Sequence, residues 1–257
     1  MKRLLFFYLF SLCSSAIMAQ NTIYVSSDAK AIENGTLESP YQTIEAALKQ
    51  GLNSTGNDTV RIHVQAGFYP LNKTIRIEKT PSAPVLIEGD EKDMPVFSGA
   101  ITLTSWEKTP QGWWKTHIDE VTRYGVKIEQ LYVNGNRAIR ARTPDKGWFF
   151  VEGAEETVHY KGTGRSPEYA TQRIRVKPED MESLKGLSAE ELNNVMVMCY
   201  HKWDNTRKYL SQAIPDSGYF FLNGQGMKPW NPIGKGSRFI LENYKQAMNT
   251  EGEWFLE

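Results

Sequence analysis

The sequence has little cysteine, no net charge and no long apolar run. Its 257 residues include two cysteines, and 30 basic side chains balance 30 acidic ones. A neutral chain lacks the basic excess that nucleic acids and anionic membrane surfaces attract, so no nucleic-acid partner is expected. The longest apolar stretch, near the amino terminus, is too short to span a bilayer permanently, so no membrane span is expected.

Residues 1–19 have the organisation of a secretory signal peptide. Lys2 and Arg3 form a basic start, a mostly apolar run follows, and small Ala19 stands at the expected cleavage position. The pattern therefore predicts a secreted or periplasmic protein.

The two cysteines carry no sign of a disulfide or of a nucleophile. Cys13 lies inside the predicted signal, and the bulky Leu12 before it disfavours a lipoprotein anchor. Cys199 is then alone in the mature chain, which excludes an internal disulfide. Its neighbours Val197 and Met198 are apolar, which favours a buried thiol in a strand.

Polar and apolar residues alternate between residues 59 and 99. Val60, Ile62 and Val64 share one face of the clearest segment. This period of two is typical of strands with one buried face. Gly, Pro, Asn and Asp punctuate the strands, and no helix-length segment separates them. The spacing is compatible with a meander and with a parallel coil in which each turn adds one short strand.

One helix is predicted before this region. Ser39 is placed to cap it, Pro40 occupies the first helical position, and Gln42 completes a capping box. Gly51 is expected to end it. Its apolar face is formed by Tyr41, Ile44, Ala47 and Leu48.

Turn and cap signals recur in the second half of the chain. Asn134-Gly135 and Asn223-Gly224 predict tight hairpin turns, because both positions of such turns need positive φ. Between them, Ser188 and Glu191 have the spacing of a capping box and predict a polar helical segment.

Several phrases resemble right-handed parallel β-helix proteins that act on polysaccharides. In those proteins "V-x-V-x-x-G-x-Y", "T-I-x-I", "P-I-x-I-x-G" and "P-V-x-S-G" follow one another. The corresponding phrases here begin at residues 62, 74, 84 and 95, with Ile62 in place of the first valine.

Further phrases are similar to β-helix glycoside hydrolases in particular. The most specific is Gln130–Pro144, and residues 201–204 and 251–256 support it. Glycoside hydrolase family 141 is the nearest resemblance, with relatives in families 120 and 110.

The resemblance implies an all-β fold, a right-handed parallel β-helix with an N-terminal capping helix and an inserted β-sandwich or barrel-like lobe. The first rungs and the capping helix are expected in residues 20–105, the lobe in 106–236 and the return to the β-helix in 237–257. In the similar families the closing phrase leads into coils that carry the catalytic carboxylates. The chain is therefore expected to be an amino-terminal portion, with its catalytic residues beyond Glu257.

The resemblance also implies an exported glycoside hydrolase that acts on plant-type or host polysaccharide or oligosaccharide, with fucosidase- or xylanase-like activity. Such hydrolysis uses two carboxylates, separated by about 5–5.5 Å for retention or about 6.5–9.5 Å for inversion. The sequence does not assign that pair. A polysaccharide lyase on the same scaffold and a non-catalytic glycan-binding or adhesion protein remain alternatives.

Four residues that follow a strand together are the predicted substrate-binding set. Trp203 offers a stacking face, Asp204 accepts from hydroxyls, and Arg207 could hold a uronate carboxylate. His201 completes the set. The structural alternative is a packed Trp203 beside an Asp204–Arg207 surface pair.

No metal or other cofactor is expected. The four histidines, at 63, 117, 159 and 201, lack metal-ligand spacing.

Overall fold

A computed structural model describes residues 21–30, 32–77 and 80–257. The predicted signal peptide of residues 1–19 lies outside the described residues. The chain divides into two compact units, unit 1 (Met1–His117) and unit 2 (Ile118–Glu257). The four-part division expected from the sequence stays a prediction.

Unit 1 contains short strands and one α-helix among its described residues. They are β1 (Thr22–Val25), α1 (Ile44–Asn53), β2 (Val60–Val64), β3 (Phe68–Pro70), β4 (Val85–Gly89), β5 (Val96–Ser98), β6 (Glu107–Lys108) and β7 (Trp114–Lys115).

Unit 2 contains the longer strands. Its strands and α-helices are α2 (Asp119–Tyr124), β8 (Tyr132–Val133), β9 (Asn136–Arg137), β10 (Ile139–Arg140), β11 (Arg142–Thr143), β12 (Phe149–Phe150), β13 (Gly153–Tyr160), β14 (Tyr169–Arg175), α3 (Ala189–Asn194), β15 (Met196–Tyr200), β16 (Asn205–Ile214), β17 (Tyr219–Gly224), β18 (Arg238–Glu242) and β19 (Glu253–Trp254). Short 3₁₀ helices are Pro178–Leu184, Pro215–Ser217 and Lys245–Ala247.

In unit 1 the alternating pattern produces parallel pairs. Strands β1, β2 and β4 form a three-stranded sheet, and β3 pairs with β5. The predicted buried face of β2 is confirmed, because Val60, Ile62 and Val64 are all buried. They belong to one core with Ala47 and Leu48 of α1.

Helix α1 begins and ends later than predicted. Thr43, not Ser39, is its N-cap, and the Thr43 hydroxyl accepts from Ala46 N at 3.3 Å. Gly51 lies inside the helix and does not end it. A Cβ on Gly51 would stand 3.3 Å from Ile62 Cδ1, so the glycine permits close packing of helix and strand.

One predicted strand of unit 1 is absent. Residues 74–77 carry the alternating phrase, but the structure assigns them no strand. Ile77 is 60% exposed, and Ile75 is only partly buried against the unit 1 core. Alternation over four residues is too short to select a strand without a partner.

In unit 2 an eight-stranded sheet has the order β11-β18-β15-β16-β17-β14-β13, with β12 also paired to β18. All of its pairs are antiparallel. Strand β16 pairs with β15 through residues 205–209 and with β17 through residues 210–214, with a register shift after Leu210. Phe220 and Phe239 lie fully buried in the core, with ring centroids 5.5 Å apart.

The predicted right-handed parallel β-helix with a capping helix and an inserted β-sandwich or barrel-like lobe is wrong for this chain. Its largest sheet is antiparallel, and the described strands neither close nor stack into a solenoid. Short connections favour antiparallel pairing of β13 with β14, of β15 with β16 and of β16 with β17, since parallel neighbours need a longer crossover. The prediction placed parallel rungs in residues 20–105 and 237–257 around a lobe of residues 106–236, whereas one antiparallel sheet runs from β11 to β18.

The turn signals of unit 2 had mixed outcomes. The hairpin at Asn134-Gly135 is confirmed, with φ of 51° and 77°. Asn223-Gly224 instead lies inside the paired part of β17, so that hairpin prediction is wrong. The β16–β17 turn ends at Gly218, whose φ is 67°.

Two local predictions in unit 2 are confirmed. The Ser188 hydroxyl accepts from Glu191 N, and the Glu191 carboxylate accepts from Ser188 N at 2.8 Å, which forms the predicted capping box of α3. Cys199 lies fully buried in β15. Burial raises the pKa of its thiol to about 12, which makes Cys199 a structural side chain.

Two of the phrases that carry the family resemblance, residues 130–144 and 251–256, meet in unit 2. Strand β10 pairs in parallel with β19, which places the Arg140 guanidinium 4.4 Å from the Trp254 ring centroid. Arg140 donates to Asn243 Oδ1 at 3.0 Å and to Ile128 O at 2.6 Å. Asn243 also exchanges hydrogen bonds with both backbone groups of Leu256. These contacts give Arg140 a structural role.

Candidate functional site

A small open pocket of about 70 Å³ lies in unit 2, beside the turn from β15 to β16. Strand β14 contributes Gln172, and the segment after β17 closes the pocket from another side. The lining includes the polar side chains of Gln172, His201, Thr206, Lys208, Lys228 and Asn231, together with Met227 and Ile233.

Strand alternation brings part of this lining together. Thr206 pairs with Cys199, and Lys208 pairs with Val197, so both side chains share the core-facing side of the sheet. Arg207, between them, points to the opposite face. The pocket therefore opens at the rim of the unit 2 core.

An acidic side chain is held firmly at the pocket. Asp204 pairs with the Lys228 ammonium and accepts from Asn231 Nδ2 at 2.6 Å. The hydrogen bond from Lys228 is the main cause that lowers the pKa of Asp204. Asp204 thus stays ionised and can accept hydrogen bonds, but it is a poor general acid near neutral pH.

A second series of hydrogen-bonded polar groups crosses the pocket floor. Lys208 Nζ donates to Gln172 Oε1 at 2.7 Å and also to Gln225 O. Gln172, only 1% exposed, donates in turn to Glu156 Oε2 at 2.8 Å. The same Glu156 oxygen accepts from Met227 N at 2.6 Å. This series of hydrogen bonds fixes the position of the Lys208 ammonium.

His201 lies where β15 ends. Its Nε2 is 2.8 Å from Thr206 Oγ1. Its Nδ1 is buried and has no hydrogen-bond partner within the described ranges. A buried ring nitrogen without a partner is costly, so this position favours an added polar ligand or water.

The structure separates the four predicted binding residues. His201 lines the pocket and Asp204 bonds to two of its lining residues, whereas Trp203 is 65% exposed at the turn and is not part of the lining. Arg207, on the other face, lies 3.1 Å from Glu129 Oε2 and 3.3 Å from Glu242 Oε1.

The alternative Asp204–Arg207 pair is therefore wrong, because each residue has a different partner. The Arg207–Glu242 contact is an ion pair without the alignment of a hydrogen bond, since Arg207 Nε and Glu242 Oε1 both lack a hydrogen-bond partner among the described residues. Substrate binding by the four residues stays a prediction.

Sequence reasoning missed Lys208, Gln172 and Asn231. Lys208 could have been found, because it follows Thr206 by two residues and so shares its face of the strand. Gln172 and Asn231 come from distant parts of the chain and gave no local signal. Their burial, at 1% and 2% exposure, is a property of the folded sheet and its neighbouring loop.

An exposed aromatic cluster lies on the other face of the sheet. The Trp148 and Tyr200 rings have centroids 6.4 Å apart, and the Arg238 guanidinium lies 4.7 Å from the Trp148 centroid. Trp148 is 44% exposed. Such faces can stack on sugar rings.

The described residues place no group of three or more His, Cys, Asp or Glu side chains to hold a metal ion. None of the described helices combines the length and apolar character that crossing a membrane requires.

The comparisons with known proteins identify a fold relationship. No family model and no curated protein matches this chain. A solved structure described as "Glycoside hydrolase" is similar to it, with 19% sequence identity and a TM-score of 0.63. The match covers 92% of this chain and 41% of that chain, so this chain spans less than half of that protein. At this identity the likeness shows the fold.

Proposed function

We propose that this chain belongs to a carbohydrate-active enzyme that hydrolyses glycosidic bonds. The observation that carries the proposal is the fold likeness to a glycoside hydrolase across 92% of the chain. The polar pocket beside the β15–β16 turn supports it, because sugar hydroxyls need convergent donors and acceptors. His201, Lys208 and Lys228 line the pocket with such polar groups.

The finer proposal is an exported enzyme that acts on a polysaccharide or oligosaccharide, with fucosidase- or xylanase-like specificity. The proposed export rests on the signal pattern of residues 1–19, and membership of families 141, 120 or 110 rests on the quoted phrases. If export is correct, amino-terminal sequencing of the protein recovered outside the cytoplasm will begin at Gln20.

Hydrolysis requires a pair of carboxyl groups, one as acid and one as base or nucleophile. Asp204 has a lowered pKa and suits the ionised role or substrate binding. No residue of this chain is proposed as the acid. The proposed role of the pocket is to bind and orient a sugar.

The proposal is tested by incubating the purified full-length native protein with a panel of neutral and acidic polysaccharides and measuring released reducing ends. Hydrolysis of any member supports it. Products that absorb in the ultraviolet through a new double bond would instead indicate a lyase. Binding without turnover would indicate a glycan-binding protein.

A matched pair of variants tests the pocket. Asp204→Asn removes an acid paired with Lys228, whereas Asp216→Asn removes an acid 3.0 Å from Lys185, away from the pocket. We expect Asp204→Asn to weaken sugar binding at least about tenfold, as loss of a charged hydrogen-bonding partner does. Asp216→Asn should leave binding unchanged. Equal effects would remove the pocket from the proposal.

A further inference from the structure

The lysines of unit 2 differ in what neutralises them. The Lys228 ammonium pairs with Asp204, and the Lys185 ammonium lies 2.8 Å from Glu182 Oε2 and 3.0 Å from Asp216 Oδ1. Lys208, by contrast, donates to the amide oxygen of Gln172 and to the carbonyl of Gln225. Among the described residues no carboxylate forms an ion pair with it.

The absence of an ion-pair partner among the described residues is costly for Lys208. Its ammonium is partly buried, and burial lowers the pKa of Lys208, although the charge of Glu156 acts in the opposite direction. A desolvated cation is stabilised by an anion far more than by neutral oxygens.

The donors of Lys208 are incompletely used. An ammonium carries three N–H donors, and the described residues provide two acceptors, Gln172 Oε1 and Gln225 O. Because Lys208 lines the pocket, a third acceptor can reach it from a bound molecule.

The two acids near the pocket already have donors. Glu156 accepts from Gln172 Nε2 and Met227 N, and Asp204 accepts from Lys228 and Asn231. Each carboxylate is therefore matched within the protein. Among the described residues, no negatively charged group accepts a hydrogen bond from the Lys208 ammonium.

We propose that this pocket binds an acidic sugar, with Lys208 contacting a carboxylate or a sulfate ester on the ring. This inference rests on the proposed carbohydrate function and names the class of sugar. It replaces Arg207 as the predicted contact for a uronate carboxylate, because Arg207 lies on the opposite face with Glu129 and Glu242.

The test compares ligands that differ only in charge. Affinities of the wild-type chain are measured by calorimetry for a trimer of galacturonic acid, for the same trimer with its carboxyl groups reduced to hydroxymethyl groups, and for galactose 6-sulfate beside galactose. We expect the charged member of at least one pair to bind about 10- to 100-fold more tightly, the effect of one charge-assisted hydrogen bond. The pair that shows this preference identifies carboxylate or sulfate. Raising the salt concentration should reduce the preference.

Substitutions test whether the preference for the charged ligand depends on Lys208. Lys208→Met should abolish the preference for the charged ligand, and Lys208→Arg should keep part of it. Lys235→Met removes an exposed lysine outside the pocket and serves as the control, with unfolding midpoints recorded for all three. If Lys208→Met does not fold, the wild-type comparison of charged and reduced trimers decides whether an acidic sugar is preferred, and the partial loss of that preference in Lys208→Arg assigns it to Lys208.

Equal affinity for charged and neutral ligands, no binding of either charged ligand, or a preference that survives in folded Lys208→Met would overturn the inference. Its failure is distinct from failure of the proposed function. Hydrolysis of neutral glycans without an acidic preference would remove only the inference. Binding of the acidic trimer by the full-length native protein without any hydrolysis would keep the inference and remove the enzyme.

Discussion

The two units of the chain use similar local patterns and reach different sheets. In unit 1, parallel strands leave apolar side chains at their edges, with Leu86 of β4 41% exposed and Val96 of β5 53% exposed. In unit 2, antiparallel strands enclose Phe220 and Leu222 completely. Buried and more exposed residues alternate in β2 of unit 1 and in β14 of unit 2. Short connections join antiparallel neighbours such as β15 and β16, but β14 and β17 are also antiparallel although 43 residues separate them. The alternation of side chains does not specify strand direction.

The largest expected effect separates the unit 2 core from the unit 1 edge. Phe220→Ala should lower the free energy of unfolding by about 3–5 kcal/mol, because it empties a fully buried site beside Phe239. Leu86→Ala, at an exposed edge strand, should cost less than about 1 kcal/mol. Urea denaturation followed by circular dichroism measures both. A large cost for Leu86→Ala would mean that the β4 edge is covered in solution.

The next effect concerns two glycines of unit 2 that differ in the room around an added Cβ atom. Gly218 has a φ of 67°, and an added Cβ would lie 2.3 Å from Val176 O. Gly186 has a φ of 79° with no atom within 4 Å of an added Cβ. Gly186→Ala should cost about 1–2 kcal/mol for its left-handed backbone. Gly218→Ala should cost at least about 1 kcal/mol more, because the carbonyl must move. Equal costs in thermal unfolding would contradict this placement of the β16–β17 turn.

A smaller effect tests the helix cap of unit 1 against that of unit 2. Thr43→Ala and Ser188→Ala each remove a capping hydroxyl and should each cost about 1 kcal/mol. Ser39→Ala should cost close to nothing, since Ser39 does not cap α1. A chemical denaturation series resolves these differences. If Ser39→Ala proved the more damaging, the helix would begin where the sequence predicted.

The last prediction concerns the reactivity of the Cys199 thiol and requires no substitution. Cys199 is buried and the pKa of its thiol is about 12, so thiolate is scarce at pH 8 and a thiol reagent should react slowly with the native chain. Reaction should accelerate greatly as unit 2 opens in denaturant. In the chain that begins at Gln20, which lacks Cys13, labelling therefore reports unit 2, while circular dichroism reports both units. Fast labelling of the native chain would show that β15 is accessible.

Local features were predictable from the sequence, and long-range ones were not. The buried face of β2, the turn at Asn134-Gly135 and the capping box of α3 follow from a few neighbouring residues. The antiparallel sheet of unit 2 did not, because it depends on which distant strands pair.

The candidate site shows the same limit. His201 and Asp204 stand near each other because the turn is short, whereas the pairing of Asp204 with Lys228 required the fold. Arg207 was misplaced because one step along a strand reverses the face.

The parallel pairing of β10 with β19 has a consequence for how the chain is made. Ile139 and Glu253 are partners, yet more than a hundred residues separate them. A ribosome adds about 5–20 residues each second, so several seconds or more pass between the synthesis of Arg140 and that of Trp254. During that interval a nascent chain can form its local hairpins while the site around Arg140 and Asn243 remains open, a window in which a chaperone or a protease can act.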